Sequence, residues 1–478
     1  RQMHYLCRRN QSFIVFLHHE NKAATKKNKF GSKIGLVAAT VGSAIGLGNV
    51  WRFPAEAQQG GGAAFLLVYV LCVFLLGIPV MLAEFSLGRG AGTDAVGAYR
   101  KFAPRSPWWI AGALPVLASY IILSFYMVVA GWTLEYFLQS VSGALYRGVD
   151  VATPDAALDG IFAARMQEYI CGTSGPLLNT YALIAINLGV LLMGVRKGIE
   201  RISNVLMPLL FVLLLVFCSV SLSLPGAAEG LKYFLAPDFS KITPAVVVAA
   251  LGQAFFSLSL GMGILITYAA YYPKRTRLVR TAVTVSLLDM MAAVLMGFII
   301  FPAVASFGLD GAEMEGTALV FVTLPEVFAR MPATQLWSSM FFFLLLVAAL
   351  TSTISIAEVS VSFVQNRFRR SRRSACMIVL VPLFLLSALS ALSFGMLDWV
   401  RIGGLGIFDF LDTAATNFML PVASILLCLF MGWRKPGILR GELCNYGSDD
   451  SRLRGPVLFI IRWVAPLLIL AVLATSVL

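Results

Sequence analysis

Two features of this chain are suited to coordination chemistry. Thr351-Ser352-Thr353 follow Ala348-Ala349-Leu350 in an otherwise apolar stretch, and Asp289 lies nine residues past Arg280, about 13 Å along a helix, deep in another. A buried lone carboxylate needs a cation, a hydrogen-bond donor or a proton. No lysine or arginine sits close to Asp289 in sequence, and a sodium ion would supply the missing charge. Hydroxyl and carbonyl oxygens are the hard ligands that such a cation requires. Taken alone, hydroxyls in a buried helix fit bonding back to a carbonyl one turn earlier just as well. Free carbonyls would change that balance, and two apolar segments offer them: Thr40 to Pro54 (TVGSAIGLGNVWRFP) and Gly252 to Tyr268 (GQAFFSLSLGMGILITY) are interrupted midway by glycine, serine and asparagine. In hydrocarbon an unpaired backbone group costs several kcal/mol, so a span comes undone only where a cavity, ion or substrate satisfies it. Interruptions in corresponding places of two halves point to a binding site near the membrane midplane.

The elements that would carry these residues are membrane spans. Of 478 residues 59% are hydrophobic and only 13% charged, and mean hydropathy is +0.83, against a soluble norm of about 25% charged. Apolar runs of about 18 residues or more, with isolated ionisable residues allowed inside them, give eleven spans near 34–56, 60–88, 107–140, 175–194, 202–224, 243–272, 281–307, 334–364, 374–397, 402–433 and 455–477. Lysine and arginine collect on the cytoplasmic side. The tail over residues 1–33 carries Arg1, Arg8, Arg9, Lys22, Lys26, Lys27, Lys29 and Lys33 against Glu20, which places it inside. Basic clusters follow the second, fourth, sixth and eighth spans, and acids such as Asp150, Asp155, Asp159, Glu168, Asp310, Glu313, Glu315 and Glu326 occupy loops between them. An odd number of spans leaves the C terminus, Ser476-Val477-Leu478, outside.

Several functional classes recede. The net charge of +13 sits in short loops on one side, so membrane topology explains it better than nucleic acid does. The seven cysteines show no close spacing, and no disulfide framework or metal knuckle follows. Phe13 to Leu17 is too short for a signal-peptide core. His4, His18 and His19 all lie in the tail, so an enzyme inside the membrane would lack its commonest base and ligand. Ionisable residues inside spans include Arg52, Glu84, Asp289, Glu358, Asp409, Asp412 and Arg462. Arg462, near the cytoplasmic end of the last span, can snorkel. Glu358 shares a turn with Ser355 and either functions or caps a polar helix face. Arg52 and Asp412, both near outer span ends, suit either a gate or a static pair.

Together these residues carry a resemblance. Gly42 to Pro54, then Gly60-Gly61-Gly62, resemble the first span and following loop of the neurotransmitter:sodium symporter family. Glu84-Phe85 with Gly88-Arg89, Ser124-Phe125-Tyr126 through Gly131-Trp132, Gln253 through Gly263, Ala348 through Ser352, and Phe408 to Asp412 follow in family order, covering about Lys27 to Leu478.

The resemblance implies an all-α membrane protein of the leucine-transporter type: two inverted five-helix repeats, 34–224 and 243–433, each beginning with a broken helix, and an eleventh helix at 455–477. It implies two sodium sites. The first would use the carbonyls of Ala44 and Ser257, the side chains of Asn49, Ser257 and Asp289, and the carboxylate of the substrate. The second would use the carbonyls of Gly42, Ile45 and Ala348 and the hydroxyls of Thr351 and Ser352. An amino-acid substrate would place its carboxylate at the amides near Leu47 and Gly48 and the Tyr126 hydroxyl. Its ammonium would meet the carbonyls of Ala44, Phe256 and Ser259, and its side chain would lie among Ser43, Ile122, Phe256, Ser259, Met262, Ser355 and Ile356. Half-helix dipoles favour both contacts.

That pocket holds no ionisable partner for a substrate side chain, so neutral, hydrophobic or aromatic L-amino acids fit it. Met262 between Gly261 and Gly263 allows several sizes, unless those glycines serve only close helix packing. Asp289 stands where many members have asparagine, and Ala293 where chloride-dependent members have serine, so no chloride requirement is expected, although Tyr69 and Gln253 remain. At the inner gate Lys27 replaces the usual arginine, Phe30 the tryptophan and Asn366 the aspartate, which weakens the charged lock. The resemblance thus implies a sodium-driven symporter working by alternating access, with Arg52 and Asp412 closing above the substrate. A binding receptor that does not transport, or a proton-coupled carrier, are the other readings; paired Thr351 and Ser352 argue against the second. Eleven spans with short loops suit a bacterial inner membrane.

Overall fold

The computed structural model describes residues 30–149, 160–308, 316–444 and 453–475. Lys27 and most of the basic tail, the loop acids Asp150, Asp155, Asp159, Asp310, Glu313 and Glu315, and Ser476 to Leu478 lie outside the described residues.

The secondary structure of the described residues is helical, with one isolated antiparallel bridge, Ile402 to Leu405. Its first helix, α1 (Lys33–Ala44), starts at Ser32, whose hydroxyl accepts from the Gly35 amide, and stops at Ile45, where the backbone turns extended. Helix α2 (Gly48–Gln59) resumes at an angle of 57°. Its first turn, Gly48–Arg52, is π-helical, a widened form that recurs at functional sites. Then come α3 (Ala63–Ala91), α4 (Trp109–Val141), α5 (Ser174–Leu192) and α6 (Val195–Ser221).

The second break is wider. Helix α7 (Pro244–Ser257) is capped by Thr243 and opened by a proline at its first position, where the missing amide costs nothing. Helix α8 (Ile264–Ala270) begins at Gly263. Between them Gly261 and Gly263 take φ of +76° and +73°, and Ser259 takes +53°. A non-glycine residue at such φ is costly unless it is held. Ser259 is held by its amide on the Phe256 carbonyl and its hydroxyl on the Ser43 carbonyl, 2.8 Å away. The chain continues through α9 (Leu278–Phe307), α10 (Thr334–Phe368), α11 (Arg372–Leu392), α12 (Ile407–Arg434) and α13 (Arg454–Thr475).

Among the described residues nine of these helices are long and apolar enough to cross a bilayer, and α1 with α2 makes a tenth as a bent pair. The span expected over 243–272 takes the form of α7 and α8, each too short to count alone. Helices α10 and α4 pack along each other at the centre, with 78% and 72% of their most apolar windows buried, whereas α13 at the periphery has 28%. One end of the bundle carries the basic clusters and is tied by Arg89 to Glu442 and Thr276 and by Arg372 to Leu191. The opposite end is tied by Gln335 to Val141, Arg330 to Phe307 and Tyr233 to Gln58. These are called the basic and acidic faces below.

Candidate transport site

Helix α1 ends where α7 ends, and the freed backbone meets there. On the α9 side, Asp289 is fully buried. Its Oδ1 accepts from Asn49 Nδ2 at 2.9 Å and its Oδ2 from the Ser257 hydroxyl at 2.5 Å. Asn49 Oδ1 in turn accepts from the Gly46 amide, and the Tyr69 hydroxyl donates to Ser257 at 3.3 Å. Asn49, more than two hundred residues from Ser257 and Asp289 in sequence, therefore joins them in one oxygen-rich cluster beside the end of α1. The donors that share the Asp289 charge are neutral.

On the α10 side, the Ser352 hydroxyl lies 3.4 Å from the Ile45 carbonyl, at the first residue past α1. The Thr351 hydroxyl donates to the Ala348 carbonyl at 3.0 Å and to Val347 at 3.2 Å, the helical back-bonding that its position allows. A methyl on Gly42 would touch both Met207 and Thr351 at 3.2–3.4 Å, so the α1 backbone runs directly against the hydroxyls. Gly42, Ile45, Ala348, Thr351 and Ser352 thus share one place. No group of three His, Cys, Asp or Glu that could hold a metal occurs among the described residues. Both clusters are built from neutral oxygens with at most one carboxylate, a donor chemistry for a hard, singly charged cation rather than a transition metal.

Between the clusters is a cavity of about 30 Å³ lined by Ser43, Ala44, Gly46, Gly48, Asn49, Ile122, Tyr126, Phe256, Ser257, Ser259, Met262, Ser352 and Ile356. No acidic or basic side chain is in that lining. The Tyr126 hydroxyl accepts from the Leu47 amide at 3.1 Å, and the Phe256 ring packs where a Gly48 side chain would be, 2.5 Å from an added Cβ. The volume suits one or two waters, so an amino acid enters only if the walls part. One expected lining residue is elsewhere: Ser355 donates to the Thr351 carbonyl and accepts from the Tyr268 hydroxyl at 2.7 Å, facing away. Leu47, whose amide was the expected contact, has its side chain fully buried and its amide on the Tyr126 hydroxyl. A larger cleft of about 660 Å³ lies on the acidic face among Gln58, Lys232, Tyr233, Asp238 and Lys241. There the Ser240 hydroxyl and amide hold the exposed Asp238 carboxyl below the usual range; the freed carbonyls do not reach it.

The gates differ from expectation. Arg52 and Asp412 make no direct pair: Arg52 Nε sits 3.4 Å from Glu56, one turn along α2, with its guanidinium 5.0 Å above the Phe256 ring. Asp412 takes the Thr416 hydroxyl instead. On the basic face Phe30 is caged by Tyr268, Tyr271 and Tyr272 at 5.8–6.3 Å. Asn366 donates to Ser362 and is among the groups stabilising the buried Asp94 carboxylate, whose burial raises its pKa. An aspartate at 366 would set two carboxylates together, which accounts for the amide.

Sequence reasoning missed several contacts. Glu358, fully buried, takes two hydrogen bonds from Arg372 at 2.6 and 2.7 Å and one from Tyr271 at 2.8 Å. Glu200 accepts from the amides of Gly31 and Ser32 and the Ser32 hydroxyl, pinning the start of α1 to α6. Glu84 accepts from the Gly261 amide at 2.7 Å, inside the second break. The signal for Glu84 was present, since it is the one acid inside its apolar span.

Comparison with known proteins places this geometry in a family. A family model described as the sodium:neurotransmitter symporter family matches residues 27–149 and 166–478. An uncharacterized sodium-dependent transporter of Bacillus subtilis (strain 168), YhdH, is 37% identical over 94% of this chain and 97% of its own. A sodium- and chloride-dependent GABA transporter of Drosophila melanogaster is 28% identical over 85% of this chain and 46% of its own. The crystal structure of MhsT in complex with L-phenylalanine superposes with a TM-score of 0.83 at 41% identity, covering 94% of this chain and 99% of that one. That structure has the leucine-transporter-type fold. The chain belongs to the sodium:neurotransmitter symporter family, whose members are membrane transporters and not enzymes.

Proposed function

We propose that this protein couples sodium entry to uptake of neutral, hydrophobic or aromatic L-amino acids. The observation that carries the reading is the cavity between two broken helices, lined by backbone and hydroxyl oxygens and by Ile122, Phe256, Met262 and Ile356, without an acidic or basic side chain. The MhsT structure, 41% identical, holds L-phenylalanine. Such a ligand has one anionic and one cationic end, and helix termini offer amides to the first and carbonyls to the second.

Two sodium ions are the cargo. One is held by Ala44, Asn49, Ser257 and Asp289, the other by Gly42, Ile45, Ala348, Thr351 and Ser352. Sodium at the first cluster draws the Asp289 carboxylate and Asn49 together and tightens the start of α2. Sodium at the second bridges α1 to α10, so its loss frees α1 to swing. The cycle is alternating access between two inverted repeats, with eleven spans, the basic face cytoplasmic and the C terminus outside, in a bacterial inner membrane. One charge crossing 100 mV supplies about 2.3 kcal/mol before any concentration term. No chloride is needed: the Asp289 carboxylate, which accepts from Asn49 and Ser257, already brings to this cluster the negative charge that an anion would supply. Asp289 carries a proton back on the empty return leg.

The test is uptake into proteoliposomes. Labelled phenylalanine accumulates when sodium is outside, stops when potassium replaces it, and is unchanged when gluconate replaces chloride. Competition by leucine and tryptophan but not by lysine or glutamate ranks the side chain. Accumulation without sodium, or binding without accumulation, overturns the proposal. Asp289→Asn removes the response to internal pH; an unchanged response removes the proton from the cycle.

A further inference from the structure

At the basic end of α12 and α13 the surface changes character. Trp433 and Trp463, each half exposed, meet edge to face at 4.7 Å, beside Phe459 at 60% exposure. Their backbone is pinned. Arg462 Nε donates to the Gly432 carbonyl at 2.6 Å, and the Trp433 indole donates back to the Arg462 carbonyl at 3.2 Å. The Arg462 guanidinium lies 5.9 Å from the Trp433 ring. Amphipathic rings held rigidly at a span's end mark the headgroup level of a bilayer.

Next to these rings the exposed charges among the described residues are of one sign. Arg434 is exposed and Lys435 half-buried at the end of α12. Arg440 is exposed on the short helix Pro436–Leu443, which packs on the first turn of α13 where Arg454 lies. The Nε of Arg454 is buried and has no hydrogen-bond partner among the described residues. The acid on these described elements, Glu442, is turned inward onto Arg89 at 2.6 Å and so does not offset them. Residues 445–452, outside the described set, add Asp449, Asp450 and Arg452.

We infer that this corner is a binding site for the phosphodiester headgroup of an anionic phospholipid in the leaflet that the basic face touches. Its phosphate is shared by Arg434, Lys435 and Arg454, and its acyl chains lie along Trp433, Trp463 and Phe459. A basic pocket between helix ends recognises anionic lipid by charge, while the apolar rings alongside require that the phosphate belong to a lipid. The site holds α13 to α12 from outside the bundle, at the helix that protein contacts bury least.

The experiment uses the full chain in nanodiscs and brominated lipids, which quench tryptophan on contact. A variant with the other six tryptophans changed to phenylalanine reads Trp433 and Trp463 alone, and a monodisperse elution with the helical circular dichroism of the parent confirms that it is folded. Brominated phosphatidylglycerol, at equal mole fraction, should quench more than brominated phosphatidylcholine, with an affinity ratio of about fivefold for each basic residue engaged. Arg434→Gln with Lys435→Gln, both at the surface, should bring the ratio toward one without changing folding. Equal quenching by the two lipids in the parent overturns the site, as does a preference that the double substitution leaves undiminished. Loss of the preference in 10 mM inorganic phosphate at constant ionic strength would show a free-phosphate site and overturn the lipid assignment. The readout is independent of transport, so it fails separately from the proposed function.

Discussion

The two faces of this protein close by different physics. On the basic face closure is polar and specific. Glu358 is buried under Arg372 and Tyr271, Glu200 caps the amides that lead into α1, and Phe30 fits among three tyrosines. On the acidic face closure is mostly aromatic. Trp132 stacks on Phe408 at 6.0 Å and 17°, touches Phe394 and Phe321, and Phe408 reaches Phe125 at 5.4 Å. Rings slide past one another with graded loss, whereas a buried ion pair either has both partners or leaves a charge stranded. The basic face should therefore behave as a switch and the acidic face as a lid.

The largest effect tests the switch. Arg372→Ala strands Glu358, and removing one partner of a buried pair costs about 3–5 kcal/mol. The thermal midpoint in detergent should fall clearly, and Cys376, now fully buried, should react with a thiol reagent. The double variant Arg372→Gln with Glu358→Gln should recover much of the loss. If the single substitution leaves both readings unchanged, the pair is not what closes this face.

Glu200→Gln comes next. Charged hydrogen bonds to backbone amides contribute about 2 kcal/mol each, and the glutamine keeps one acceptor oxygen. The amides of Gly31, Ser32 and Gly35 should exchange hydrogen faster while those of α4 do not. Exchange rising equally in both helices would mean general destabilisation and erase the contrast between the faces.

Phe408→Ala probes the lid. Phe408 is half-buried, so its truncation should cost less than the 3–5 kcal/mol of a fully buried ring. It should speed substrate release toward the acidic face, with little change in the thermal midpoint. Trp132→Phe keeps the stack and deletes an indole N–H that is buried without a partner among the described residues, so it should be neutral or slightly stabilising.

What could be read from sequence follows the same division. The breaks were legible, because glycine, serine and asparagine inside apolar runs violate the membrane rule locally, and Ile45 and Ser259 lie in those breaks. The carboxylate of Asp289 was legible by its depth. The partners of Glu358 were not, since Arg372 reads as one more basic loop residue and folds back only because α11 starts directly after α10. The family resemblance puts Ser355 in the cavity, but its hydroxyl is taken by the Thr351 carbonyl and by Tyr268 instead. Contacts set by helix rotation leave no trace in spacing along one chain.

Arg52 and Asp412 give the smallest effect and the sharpest contrast. Opposite charges near the outer ends of two spans suggested a lock, yet Arg52 takes Glu56 one turn away and the Phe256 ring below. A half-exposed pair of that kind contributes about 0–1 kcal/mol, and the Arg52–Asp412 attraction is not a contact in this state. Asp412→Asn should therefore leave the thermal midpoint within about 0.5 kcal/mol of the parent. If the two residues meet only while the outer path is closing, the same substitution should slow uptake at saturating substrate without changing the substrate concentration for half-maximal rate. Glu56→Gln should do the opposite, releasing Arg52 toward Asp412 and favouring closure. Equal and parallel effects of both substitutions would mean that Arg52 moves between no alternative partners, and that the aromatic lid alone seals the acidic face.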